Sequence, residues 1–166
     1  GFRGARESSA PPRGGDEREW TVRILHKIGD IDMQQVNWRS AASVYERVRD
    51  LVPGDERARL SLMELYYRLG QSEKAIRELD QLLQTYRDEG RSERMFAVLD
   101  DLIDRWPERI PLRARIAQVH LDAGNTDEAL EHLDKLGELQ LDAGRTEEAK
   151  STIQAIIALK PANLGE

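Results

Sequence analysis

The sequence contains no cysteine. Disulfides, thiolate metal ligands and cysteine nucleophiles are therefore all excluded. Aromatic residues are scarce, at 5%. No apolar run approaches the roughly 18 residues that cross a bilayer, and no secretory leader pattern is visible. No stretch alternates apolar and polar residues as a half-buried strand does. There is no GxxxxGK[ST] phosphate loop and no HExxH pair. These absences lead to the expectation of a cytoplasmic protein with no cofactor, no bound metal and no membrane partner. Charge is what the chain has in abundance. Charged residues make up 34% of the 166, and Leu, Ala, Glu and Arg are common, a balance that favours helices.

The net charge of −6 is unevenly spread. Residues 1–15, GFRGARESSAPPRGG, hold three arginines against one glutamate, so the rest of the chain is the more acidic part. An acidic body repels the phosphate backbone that supplies most nucleic-acid affinity, so no nucleic acid is expected as partner. The Ser, Pro and Gly content of 1–15 reads as a flexible linker, and the initial Gly suggests a piece of a longer protein.

One short phrase recurs four times: GQSEKAIREL at 70–79, GRSERMFAVL at 90–99, GNTDEALEHL at 124–133 and GRTEEAKSTI at 144–153. Glycine ends a helix by taking the left-handed conformation. Ser72, Ser92, Thr126 and Thr146 are then placed to cap the next helix, and the acids after them favour the positive end of its dipole. Each phrase predicts a tight helical corner. Pro53, Pro107 and Pro161 mark a second kind of corner, each after a helical pattern that proline cannot continue. Together they define a 54-residue unit of three helices ending near 53, 107 and 161.

Between corners, apolar residues follow helical spacing: Leu62, Leu65, Tyr66 and Leu69; Ala75, Leu79, Leu82 and Leu83; Leu133, Leu136 and Leu139; Ile153, Ile156 and Ile157. The predicted helices are 17–35, with Gly29 as a candidate break, 38–51, 57–69, 72–88, 92–105, 110–123, 127–142 and 146–159. The first unit is the least regular, for the 54-residue shift sets Val36 against Gly90 and Trp38 against Ser92. The final ANLGE is in register with the start of another helix, so 162–166 reads as a truncated one.

These residues resemble the tetratricopeptide repeat (TPR) family. Leu133, Leu136, Gly137, Gly144, Ala149, Ile153, Ile156 and Pro161 fit its register, as do Leu79, Leu82, Tyr86, Gly90, Leu99, Leu102 and Pro107. The helices at 72–88 and 127–142 each fit as the second helix of one motif and the first of the next, a departure from a plain tandem array. The resemblance implies an all-α, TPR-like α-solenoid of about eight antiparallel helices over 16–161. It also implies a non-enzymatic scaffold that binds another protein or peptide. Two alternatives are a regulatory or oligomerisation module of a larger multidomain enzyme or transcription regulator, and self-association through the terminal repeats.

The resemblance also selects a surface. Leu60, Glu64 and Tyr67 form a stripe beside the core face of the helix at 57–69, with Arg57 and Arg68 next to it. In the family's register these positions face the groove, and Arg with Tyr suits an acidic or C-terminal peptide. The competing reading is that Leu60 and Tyr67 only contact a neighbouring helix. The Asn and Lys set with which some relatives clamp a terminal carboxylate is not matched, since Ser61, Gln81 and Lys135 stand there. His120 and His132 flank the Gly124 corner. His120 fills a slot where the motif carries tyrosine, which favours a packed histidine over a metal ligand. The acidic runs at 99–104, 126–134 and 146–149 read as helix starts and solvated faces, so no catalytic residue is assigned.

Overall fold

The computed structural model describes residues 15–160. The expected linker falls almost wholly outside that range, as do Pro161 and the expected helix start at 162–166. The described residues form eight helices: α1 (Gly15–Gln34), α2 (Trp38–Leu51), α3 (Glu56–Arg68), α4 (Ser72–Glu89), α5 (Ser92–Arg105), α6 (Ile110–Asp122), α7 (Thr126–Asp142) and α8 (Thr146–Leu159). No strand occurs among them. Observed and expected ends differ by at most two residues. The starts of α2, α5 and α8, at 38, 92 and 146, lie 54 residues apart.

The corners work largely as their composition predicts. Gly70, Gly90, Gly124 and Gly144 all have positive φ, between 65° and 75°. After the glycine, the next N–H reaches back five residues to a carbonyl: Gln71 to Tyr66, Asn125 to His120 and Arg145 to Gln140. Val36 takes the same conformation, φ 62°, at the position the sequence sets against Gly90. The capping expectation needs correction. Ser72, Ser92, Thr126 and Thr146 are the first helical residues, not caps. The residues before the last three, Arg91, Asn125 and Arg145, cap without a side-chain hydrogen bond. A two-residue step out of the left-handed glycine leaves no room for a further capping residue. Asp55 is a true side-chain cap, accepting from the Ala58 N–H at 2.8 Å to start α3.

The described helices form two compact units, α1–α4 and α5–α8. In the first, α1 packs on α2, α2 on α3 and α3 on α4. Tyr45, Val48, Leu62, Met63 and Leu65 are almost fully buried there. Each such side chain contributes about 1.5–3 kcal/mol of transfer free energy. Gly29 does not break α1, which runs unbroken through it. A Cβ there would lie 2.6 Å from Cζ of Tyr45, so the glycine admits the tyrosine ring.

In the second unit, α6 packs on α7 and α7 on α8, and α5 meets α6 over a smaller area. Ala117, Leu133 and Leu136 form a core against Ile110, Leu121, Ile156 and Leu159. The stripe predicted for α8 is corrected: Ala149 and Thr152 are buried, while Ile153 and Ile157 are exposed. Spacing identifies an apolar face but not whether a neighbour covers it.

Candidate functional site

The α3 stripe begins at the Asp55 cap, which fixes the helix start and so the direction of Arg57. Arg57 forms an exposed ion pair with Asp30 of α1. Asp30 also accepts from the Tyr45 hydroxyl at 2.6 Å. Burial pushes the Asp30 carboxyl up, but the Tyr45 and Arg57 donors outweigh it and hold it below the usual range. Tyr45 is pushed up to about 12, by burial first and then by its bond to Asp30. About three turns further along α3, Arg68 donates to Glu64 at 3.0 Å and lies 4.6 Å from the centre of the Trp38 ring. Arg57 and Arg68 are exposed, Leu60 and Glu64 half-buried and Tyr67 buried. The five residues share one face of α3, whose accessible chemistry is its two guanidinium groups.

Sequence reasoning missed a pair of equivalent clefts, one in each unit. The first has a volume of about 590 Å³. Glu78 is buried at its floor, paired with Arg49 and, at 2.7 Å, with Arg59. Arg59 Nε also donates to the Pro53 carbonyl at 2.7 Å. Such a buried carboxylate is tolerable only because two guanidinium groups surround it.

The second cleft has a volume of about 680 Å³ and lies among α5, α6 and α7. Shifting by 54 carries Arg59 onto Arg113 and Glu78 onto His132. Arg113 keeps the bond to the proline corner, donating to the Pro107 carbonyl at 2.7 Å. Its Nη1 donates to Nδ1 of His132 at 3.1 Å. A guanidinium only donates, so His132 must be neutral with its proton on Nε2. Burial lowers the His132 pKa, and repulsion from Arg113 and His120 lowers it further, against Glu131 and Asp100. Burial also lowers that of Arg113, against Glu131. Phe96, His120 and His132 form a three-ring stack, with centroids 5.0 Å and 5.3 Å apart and planes within 23° and 15°.

The two histidines flanking the Gly124 corner thus meet face to face. Stacked rings do not converge on one ion, and among the described residues no group of three or more His, Asp or Glu is placed to hold a metal. The sequence did carry a signal for this cleft. Between 54-residue units, Arg49, Arg77 and Glu78 become Ile103, Glu131 and His132, while Pro53 and Arg59 recur as Pro107 and Arg113.

Two family models, each described as tetratricopeptide repeat, match residues 33–97 and 113–135. No curated protein matches the chain. Among solved structures, the chain is similar to MamA at 16% identity, covering 89% of this chain and 98% of that one with a TM-score of 0.40. It is similar to a thermophilic TPR protein from Thermus thermophilus at 20% identity, covering 89% and 93% with a TM-score of 0.32. A third is YrrB, titled a TPR protein with an unusual peptide-binding site, at 13% identity, 84% and 87% coverage and a TM-score of 0.33. Eight helices, glycine corners and matched repeats give the fold class of an all-α, TPR-like α-solenoid, and the chain belongs to the tetratricopeptide repeat family.

Proposed function

We propose that this chain is a non-enzymatic interaction scaffold that binds an acidic segment or chain terminus of another protein on the α3 face. The TPR fold supports a protein-interaction role in general. The observation that carries the finer reading is the state of Arg57 and Arg68. Their side chains are 57% and 48% exposed, and their partners Asp30 and Glu64 are partly exposed too. Exposed pairs of this kind are worth about 0–1 kcal/mol, so a ligand carboxylate can replace either partner at little cost. Trp38 beneath Arg68 keeps that guanidinium flat and presented. Arg57, Leu60, Glu64, Tyr67 and Arg68 are the proposed contact set, with buried Tyr67 as a support for the face. None of the described helices is long and apolar enough to cross a membrane, and the proposed setting is the cytoplasm.

The test is affinity capture on the wild-type chain and on an Arg57→Glu, Arg68→Glu variant of unchanged helicity. A protein held by the wild type and lost by the variant is the expected result. Equal retention by both would remove the α3 face from the proposal.

A second reading has its own observation. Trp20 and Ile31 are each 51% exposed on α1, and Ile157 is 55% exposed on α8. Such edges suit an oligomerisation module or a regulatory segment packed within a larger protein. Sedimentation mass measured over a range of concentrations separates self-association from a monomeric scaffold.

A further inference from the structure

We infer that the cleft of the second unit is a binding site for a basic peptide segment, recognised through both its cationic side chains and its backbone carbonyls. The inference rests on the chain being an interaction module, but not on the α3 face, whose ligand chemistry is the opposite.

The equivalent cleft of the first unit shows how this place is filled when the chain supplies everything itself. There, Arg49, Arg59 and Arg77 face Asp50, Glu78 and Asp80, three cations against three carboxylates, with Glu78 bridging two guanidinium groups. The second unit keeps the proline corner and the buried arginine but changes the rest. Ile103 stands for Arg49, Glu131 for Arg77 and His132 for Glu78. Asp100, Asp104, Glu128 and Glu131 now line the cleft against Arg113 alone. One cation faces four carboxylates, and these four are exposed. At a few ångströms' separation, a cationic side chain entering here gains from several carboxylates at once.

An acidic rim alone does not make a site. Arg113 supplies the independent observation. It lines the cleft, is 9% exposed, and its buried Nε has no acceptor. In the first unit the matching Nε donates to the Pro53 carbonyl. In the second that carbonyl is taken by the other arm of the fork, Nη2 of Arg113. A buried donor without an acceptor is destabilising, and a small reorientation of the guanidinium toward an incoming carbonyl would relieve it. A free carboxylate would also satisfy it, but would have to pass four like charges. A peptide with arginine or lysine side chains offers the carbonyl and the opposite charge together. The Phe96, His120 and His132 stack gives the stem or guanidinium plane of such a side chain a flat wall.

The experiment is a titration of the purified chain followed by NMR. The probe is acetyl-Gly-Arg-Gly-Arg-Gly-amide, and the comparison is the same peptide with glutamates for arginines. The arginine peptide is expected to shift the ring resonances of Phe96, His120 and His132 saturably, and the glutamate peptide to leave them in place. A triple variant, Ile103→Arg, Glu131→Arg, His132→Glu, restores the side chains of the first unit and should weaken arginine-peptide binding by tenfold or more. Unchanged shifts at Ala117 and Leu136 certify its fold. If it does not fold, the exposed Glu131→Gln serves instead, with a loss of about threefold expected from one weakened exposed ion pair. The inference is overturned if the arginine peptide leaves the rings unmoved, if the glutamate peptide moves them equally, or if the folded variant binds as tightly as wild type. Failure of the α3 proposal would appear only with the acidic ligand and the Arg57, Arg68 variant, so the two outcomes are separable.

Discussion

Nη1 of Arg113 donates to Nδ1 of His132 across 3.1 Å, and this bond exists only while the imidazole is neutral. The folded pKa of His132 is lowered, by burial first, then by Arg113 and His120. The facing carboxylates of Glu131 and Asp100 oppose that shift without reversing it. In the unfolded chain a histidine titrates near 6.5. Between those two values the unfolded state binds a proton that the folded state refuses. The stability contributed by neutral His132 is therefore complete above about pH 6.5 and is lost as pH falls below it toward the folded pKa. Urea melts at pH 7.5 and 5.5 should show a loss on acidification that is smaller in His132→Gln, whose carbonyl still accepts from Arg113. An equal loss in both proteins would show that His132 is not the responsive group.

Val36 takes a left-handed conformation that costs an L residue about 1–2 kcal/mol, and its side chain is exposed. Val36→Gly should raise stability by about 1 kcal/mol, because the strain exceeds the extra freedom glycine gives the unfolded chain. A lower denaturation midpoint for the variant would show that the valine side chain contributes contacts worth more than the strain.

Helix propensity and packing make opposite predictions at Gly29. Alanine in place of an interior helical glycine gains about 1 kcal/mol from propensity. Here, however, the new Cβ would lie 2.6 Å from the Tyr45 ring, which is buried and packs 5.7 Å from the His26 ring, centre to centre. Overpacking costs about 1–3 kcal/mol, so Gly29→Ala should destabilise on balance. A chemical denaturation curve gives the sign directly.

Leu62 and Leu136 test the two cores separately. Both are buried, at 0% and 5% exposure. Leu62→Ala and Leu136→Ala should each cost about 2–5 kcal/mol. A melt unchanged by either would contradict the assignment of that core.

These cases show where the sequence was legible. Helix ends could be read because glycine and proline act locally, through φ and a missing N–H, at Gly70, Gly124, Pro53 and Pro107. Gly29 read as a candidate break because local rules do not include Tyr45, sixteen residues away. Ile153 and Ile157 carried helical spacing, but exposure depends on what lies across from them. Tyr67 reads as a groove-facing position in the repeat register, yet it is buried, as the competing reading of a contact with a neighbouring helix expects, and burial depends on surroundings that spacing does not encode. The second cleft was visible only as a mismatch between two repeats, Glu78 against His132, and a charge difference acquires meaning once Arg59 and Arg113 are seen to reach those positions.

The α3 face and the second-unit cleft are proposed as two separate binding surfaces of opposite charge preference. The most direct measurement is a crossed calorimetric titration of glutamate and arginine peptides into wild type, the Arg57→Glu, Arg68→Glu variant and the second-cleft triple variant. The predicted result is loss of the glutamate peptide only in the α3 variant and loss of the arginine peptide only in the cleft variant. Binding of neither peptide to wild type, or equal weakening of both peptides by each variant, would contradict it.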